Sequence, residues 1–213
     1  MIALVLALSC SLFPAEGEAG RGSPSAGAPE APAELPKMVP GQESAVFAGG
    51  CFWCLESDFD KLPGVVATVS GYTGGRLKSP TYEAIGRHDT GHYEAVYVVY
   101  DTTKLDYAQV LDWFWHHIDP TDAGGQFCDR GEPYRTAVFY QGETQRAVAL
   151  GSIQKIEASG ALTKPVVTEV LALAEYWPAE NYHQDFHLVN PARYLPYRMG
   201  CGRDSTVARV WGK

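Results

Sequence analysis

The run Ser44-Ala45-Val46-Phe47-Ala48-Gly49-Gly50-Cys51-Phe52-Trp53-Cys54 changes its backbone period partway along. SAVFA reads as a strand, the glycine pair breaks it, and Cys51 opens a helix that continues to about Lys61, where Pro63-Gly64 stops it. Working outward, Val65 to Tyr72 reads as a second strand ending at Gly74-Gly75. Glu94 to Tyr100 (EAVYVVY) alternates, with Glu94, Val96, Val98 and Tyr100 on one face and Ala95, Tyr97 and Val99 on the other. Tyr107 to Ile118 is an amphipathic helix, Thr136 to Gln141 a strand, and Glu143 to Ser159 a helix stopped by Gly160. Val166 to Val170 is a further strand, and Ala179 to Val189 a short helix before Pro191. This order predicts an α+β fold: a two-layer α/β sandwich, a mixed sheet with packed helices and a ferredoxin-like core.

The chain has 213 residues and a formal net charge of -8. One domain with a real core fits that length. The negative balance gives no electrostatic reason to bind nucleic acid. Residues 1–13 (MIALVLALSCSLF) look like the apolar part of a secretory signal, although no basic residues precede it. Cys10 stands where a lipoprotein would be cleaved and lipidated. The expectation is export to the periplasm or a lipoprotein anchor, with a cytoplasmic location if the segment is not a signal. Residues 14–42, rich in Ala, Pro, Gly and Glu, carry too little apolar surface to offset their ordering entropy and read as a disordered linker. The folded domain is then 43–213.

The five cysteines, Cys10, Cys51, Cys54, Cys128 and Cys201, are odd in number and unevenly spaced, which argues against a disulfide scaffold. His183 and His187 have the spacing of a zinc helix, but Gln184 stands where a general-base Glu would be needed, so no metal site is expected. The sequence holds no phosphate loop or dinucleotide fingerprint, and no cofactor is expected.

Chemistry is concentrated at Gly50–Cys54. A cysteine at a helix start faces backbone N–H groups and the positive end of the helix dipole, which favour the thiolate. Cys51-x-x-Cys54 by itself also fits a dithiol–disulfide exchange protein, and a buried structural thiol in a binding domain is the bland alternative. Phe52 and Trp53 would ordinarily be core residues. Beside a poised cysteine they could instead form an apolar cup for a substrate methyl group.

Gly49-Gly50-Cys51-Phe52-Trp53 resembles the signature of the peptide methionine-S-sulfoxide reductases. Further segments resemble that family in the same order: Ser70–Gly75, Pro80-Thr81-Tyr82, Thr90–Val96, Gln126–Arg135 (QFCDRGEPYR), His183-Gln184 and Asn190-Pro191. The resemblance implies that Cys51 attacks the sulfoxide sulfur. It implies that Glu94, buried on an apolar strand face, supplies a proton, and that Tyr82 and Tyr134 hydrogen-bond the sulfoxide oxygen. Phe52 and Trp53 would hold the methyl group, and Asp129 would contact substrate.

The product at Cys51 would be a sulfenic acid, which a second thiol must resolve. Many relatives have Gly where this chain has Cys54, and keep recycling cysteines in a glycine-rich tail. Two candidates therefore stand: Cys54, one helical turn away, and Cys201, read here as part of a mobile C-terminal arm within Gly200-Cys201-Gly202. Cys128 reads as a small buried residue. The partners implied are methionine sulfoxide, free or in damaged proteins, and a thioredoxin-like reductant. A monomer is expected.

Overall fold

The computed structural model describes residues 31–212. The signal-like segment, Cys10 and most of the proposed linker lie outside them. The elements are β1 (Gln42–Gly49), α1 (Phe52–Phe59), β2 (Val65–Thr73), a one-turn α2 (Tyr82–Ile85), β3 (Tyr93–Asp101) and α3 (Tyr107–Trp115). Then come a two-stranded ribbon of β4 (Gly125–Gln126) and β5 (Asp129–Arg130), β6 (Thr136–Tyr140), α4 (Glu143–Ser159), β7 (Glu169–Ala172) and β8 (Trp177–Pro178). Helices α5 (Phe186–Val189), α6 (Pro191–Cys201) and α7 (Arg203–Val210) close the chain.

The main sheet runs β7-β6-β1-β3-β2-β8, antiparallel except for β6 and β7. Its central four strands with α1 and α3 form two split β-α-β units, which is the ferredoxin-like arrangement expected from the strand and helix order. The outer strands β7 and β8 make the sheet mixed and six-stranded.

Strand β3 lies second from neither edge and is buried on both faces. Val96, Val98 and Tyr100 pack with Phe47, Phe59 and Phe114 beneath the helices. Ala95, Tyr97 and Val99 face a second cluster with Val46, Val69 and Ala137, covered by Leu171, Leu173, Tyr176 and Ala33. Both faces of the alternating strand are therefore apolar. Phe47 is the hub of the helical face, stacked at 4.8 Å on Phe114 and 5.2 Å on Phe59. A fully buried Phe of this kind contributes roughly 1.5–3 kcal/mol.

Several boundaries differ from the sequence reading. Helix α1 ends at Phe59, and β7 starts at Glu169, not Val166. The expected helix over 179–189 is a 3₁₀ turn at Asn181–His183 followed by α5. The linker reading also needs correction at its end, because residues 31–33 pair with the domain: Ala33 N–H donates to Ala179 O, and Asn181 N–H to Ala31 O.

The largest correction is at the C-terminus. The arm expected to be mobile is two packed helices. Pro196 and Gly200 inside α6 hide its period in the sequence. Tertiary contacts override those residues. Arg203, only 2% exposed, donates to Asp58 Oδ2 (3.2 Å), Gly49 O (3.0 Å) and His117 O (2.9 Å). Arg198 Nη2 lies 2.8 Å from Asp58 Oδ1. A disulfide joins Cys201 to Cys128 across 73 positions. Cys128 is therefore an exposed, bonded cysteine and not a buried small residue. Because one guanidinium ties α7 to α1 and to the β1 turn, Arg203→Ala should cost roughly 3–5 kcal/mol in urea unfolding. A loss under about 1 kcal/mol would show that the tail docks by other means.

A buried carboxyl makes stability depend on pH. Glu56 is fully buried. Its Oε2 accepts from Asp185 N–H at 3.0 Å, and Oε1 has no partner. Burial, with Asp60 and Asp185 nearby, pushes it up to about 8. An unfolded Glu loses its proton near ~4.3. The stabilisation from the folded, protonated form is thus complete below that value and is lost as pH rises through about 8. We expect Tm to fall between pH ~5 and ~9, and Glu56→Gln to flatten the fall. An identical pH profile in the variant would remove Glu56 as its source.

Candidate active site

The glycine pair positions Cys51. Gly50 has φ +82°, and a Cβ there would stand 2.6 Å from the Gln126 side chain. Only glycine can make this turn, which leaves Cys51 as the N-cap of α1, with Cys54 N–H and Leu55 N–H both donating to its carbonyl. Cys51 and Cys54 are both unbridged and buried.

A cavity of about 240 Å³ opens over Cys51, lined by Phe52, Trp53, Tyr82, Glu94, Asp129, Tyr134, Arg193 and Tyr197. Every residue the sequence assigned to catalysis or substrate binding lies in that wall. A larger groove of about 890 Å³ runs between α3 and α4, but its lining holds no cysteine, histidine or tyrosine. The chemistry belongs to the smaller cavity.

Glu94, 2% exposed on β3, accepts from Phe52 N–H at 3.0 Å. The α1 N-terminus thus faces the carboxyl as well as the thiol. Burial, offset by that N–H and reinforced by Asp129, pushes Glu94 up to about 8, so it holds a proton at neutral pH. Tyr82 and Tyr134 are also raised, first by burial and then by Glu94, and remain neutral O–H donors.

The expectation for Cys51 itself is corrected. Burial, the hydrogen bond with Cys54 and the proximity of Glu94 push the thiol well up, with only the Tyr197 hydroxyl opposing. The helix terminus does not outweigh desolvation. Cys54 moves down, first because it accepts a hydrogen bond from Cys51 and then because Arg203 and Arg198 lie nearby.

The aromatic wall is rigid. Trp53 stacks on Phe186 at 3.7 Å, and its Nε1–H donates to His183 Nδ1 at 3.0 Å. Burial holds His183 down at about 4, so the ring is neutral and can accept. His187 Nε2 lies 3.4 Å from Asp60 Oδ2. The histidine pair therefore supports the aromatic wall and α1. Phe52 packs against Tyr72 and His183. Glu180 anchors the tyrosine side, accepting from Tyr72 Oη at 3.0 Å and Tyr82 N–H at 2.9 Å.

Of the two resolving candidates, the structure brings Cys54 to Cys51 and ties Cys201 to Cys128. Sequence reading missed Arg193 and Tyr197. Tyr194, Tyr197 and Arg198 carry a helical spacing that would have shown them, had Pro196 not broken the pattern. Asp129 lines the cavity as expected, and its Oδ2 also accepts from Tyr197 Oη at 2.6 Å.

Residues 43–213 match the peptide methionine sulfoxide reductase family. The chain is 47% identical over 176 residues to peptide methionine sulfoxide reductase MsrA of Bacillus licheniformis, covering 83% of this chain and 97% of that protein. Among solved structures it resembles methionine sulfoxide reductase A of Corynebacterium diphtheriae, with TM-score 0.67 and 34% identity over 80% of this chain and 86% of that one. It shares its fold with Mxr1 of Saccharomyces cerevisiae, solved in complex with Trx2, with TM-score 0.50 and 16% identity over 72% and 91% of the two chains. A match that runs through nearly the whole of a relative, and through the domain that builds the Cys51 cavity, settles the assignment: the chain belongs to the peptide methionine sulfoxide reductase family and reduces methionine sulfoxide to methionine.

Proposed function

We propose that the chain reduces the S epimer of methionine sulfoxide through Cys51, with Cys54 as the resolving thiol and a thioredoxin-like dithiol as final reductant. The carrying observation is that a free Cys51 and a free Cys54 share one buried, hydrogen-bonded pair beneath a protonated Glu94. The substrate methyl group sits between Phe52 and Trp53, and its oxygen faces Glu94, Tyr82 and Tyr134. Cys51 sulfur attacks the sulfoxide sulfur while Glu94 protonates the oxygen. Methionine leaves and Cys51 carries the oxygen as a sulfenic acid. Cys54 then attacks Cys51 sulfur, a disulfide forms and water departs. An N-cap residue and the third residue of its helix face each other, so this disulfide needs no unwinding of α1. An external dithiol reduces it by exchange, and the capture of Mxr1 with Trx2 supports a thioredoxin-like partner. Export is part of this proposal, supported by the apolar segment at 1–13, and cell fractionation tests it.

The test is turnover of both epimers of a blocked methionine sulfoxide. With dithiothreitol we expect only the S epimer to be consumed. With a thioredoxin system, Cys54→Ser should stop after about one methionine per chain, because a sulfenic acid is not a disulfide. Continued turnover by Cys54→Ser on thioredoxin, lost instead in Cys201→Ser, would transfer the resolving role to Cys201.

A further inference from the structure

The proposed reaction leaves one proton unaccounted for. Glu94 gives a proton to the sulfoxide oxygen, but Cys51 must also lose its own as it attacks. Burial holds that thiol protonated, with Cys51 only 6% exposed.

We propose that Tyr197 and Asp129 form the exit path for the Cys51 proton, with Tyr197 as a catalytic relay and Asp129 as the terminal acceptor. The Tyr197 hydroxyl donates its single hydrogen to Asp129 Oδ2 at 2.6 Å. It also lies within hydrogen-bond reach of the Cys51 sulfur. With that hydrogen on Asp129 its oxygen is open to the thiol, and once the hydrogens have shifted the hydroxyl donates back to the sulfur, the arrangement in which Tyr197 lowers Cys51. The Cys51 S–H bond breaks as the bond to substrate sulfur forms. Its proton passes to Tyr197 Oη, and the hydrogen Tyr197 held passes to Asp129. No electrons travel along this chain, and Tyr197 ends as it began, an intact phenol.

Two observations fit the direction. Cys51 is buried whereas Asp129 is only partly so, so the path leads toward solvent. Burial also raises Asp129, which makes it the better acceptor. The path is braced at both ends. Trp53 meets the Tyr197 ring edge-on at 5.9 Å, and the Cys128–Cys201 disulfide ties the end of α6 to the residue beside Asp129. The other titratable groups around Cys51 are Cys54, Glu94, Tyr82, Tyr134 and Arg193. Cys54 is the competing acceptor. A proton placed there would have to leave again before Cys54 could attack the sulfenic acid.

This inference rests on Cys51 being the nucleophile. The test is single-turnover methionine release in a Cys54→Ser parent, which removes the competing sulfur and needs no recycling. Tyr197→Phe and Asp129→Asn are each added to that parent, and rates are taken at saturating sulfoxide from pH ~6 to ~9.5. At pH ~6.5 both should be slower by about 100-fold, the scale of general-base catalysis, and the double variant should be no slower than either alone. Without the relay, hydroxide must remove the proton, so the variants should gain up to about tenfold per pH unit on the parent. Loss of Glu94 protonation cancels in the ratio of Tyr197→Phe to the parent, which therefore carries the pH test, because removing the Asp129 charge itself lowers Glu94. A rate ratio that stays flat with pH would reduce Tyr197 to packing. A raised KM at unchanged rate would leave Asp129 a substrate contact only. In either case the relay falls while the reductase reading stands. A folded parent that released no methionine would bring down the nucleophile assignment, and the relay with it.

Discussion

Cys51→Ser should retain the fold and the cavity yet lose turnover by roughly 10⁴-fold or more, the scale on which covalent enzymes lose activity with their nucleophile. The exchange replaces sulfur with oxygen at a buried N-cap where no backbone hydrogen bond depends on the side chain. Serine caps helices well, so no stability should be lost. The chemistry fails because a hydroxyl is far harder to ionise than a thiol and the resulting centre cannot become a sulfenic acid. The measurement is methionine released under dithiothreitol, with a thermal melt to establish folding. Turnover within tenfold of wild type would move the nucleophile elsewhere, with Cys54 the next place to look.

Glu94→Gln should reduce kcat/KM by about 10²–10⁴-fold, the usual worth of a positioned acid. Gln can still accept from Phe52 N–H through its carbonyl oxygen, so the α1 terminus keeps its partner and only the acidic proton is lost. In the wild type that proton departs as pH rises through about 8, and activity should fall on the alkaline side of that value. The variant should lack that limb. A variant that lost less than about fivefold would assign the acid to Tyr82 or Tyr134, and one that kept the same alkaline fall would remove Glu94 as the source of that fall. The same raised value has a stability consequence. Protonated Glu94 favours folding fully at low pH, and this contribution is lost as pH climbs to about 8, in parallel with Glu56.

The two effects differ in how visible their causes were. Cys51 could be singled out from its neighbours along the chain, since a strand, two glycines and a helix start are local features. Glu94 was visible as an acidic residue on a strand with apolar neighbours, but its proton depends on complete burial, which no stretch of sequence displays. The same holds for Cys51: the local argument pointed toward a thiolate, and burial reversed it. Desolvation is a property of everything packed around an atom and outweighs a helix terminus when water is excluded.

The sequence by itself determined the strand and helix order of the core, the glycine turn that presents Cys51, and the residues that meet in the cavity apart from Arg193 and Tyr197. Those follow from short-range periodicity, from turns that only glycine can make, and from motifs kept in one order along the chain. Only the tertiary structure decided how the cysteines divide, with Cys51 and Cys54 left free and Cys128 and Cys201 joined across the fold. Only it showed that the segment after Asn190 is two docked helices. Pro196 and Gly200 speak against a helix locally, whereas the buried Arg203–Asp58 pair and the Tyr197–Asp129 hydrogen bond connect residues far apart in the chain. Local backbone preferences amount to a few tenths of a kcal/mol to about 3 kcal/mol per residue, and buried, paired charges with several hydrogen bonds are large enough to override them.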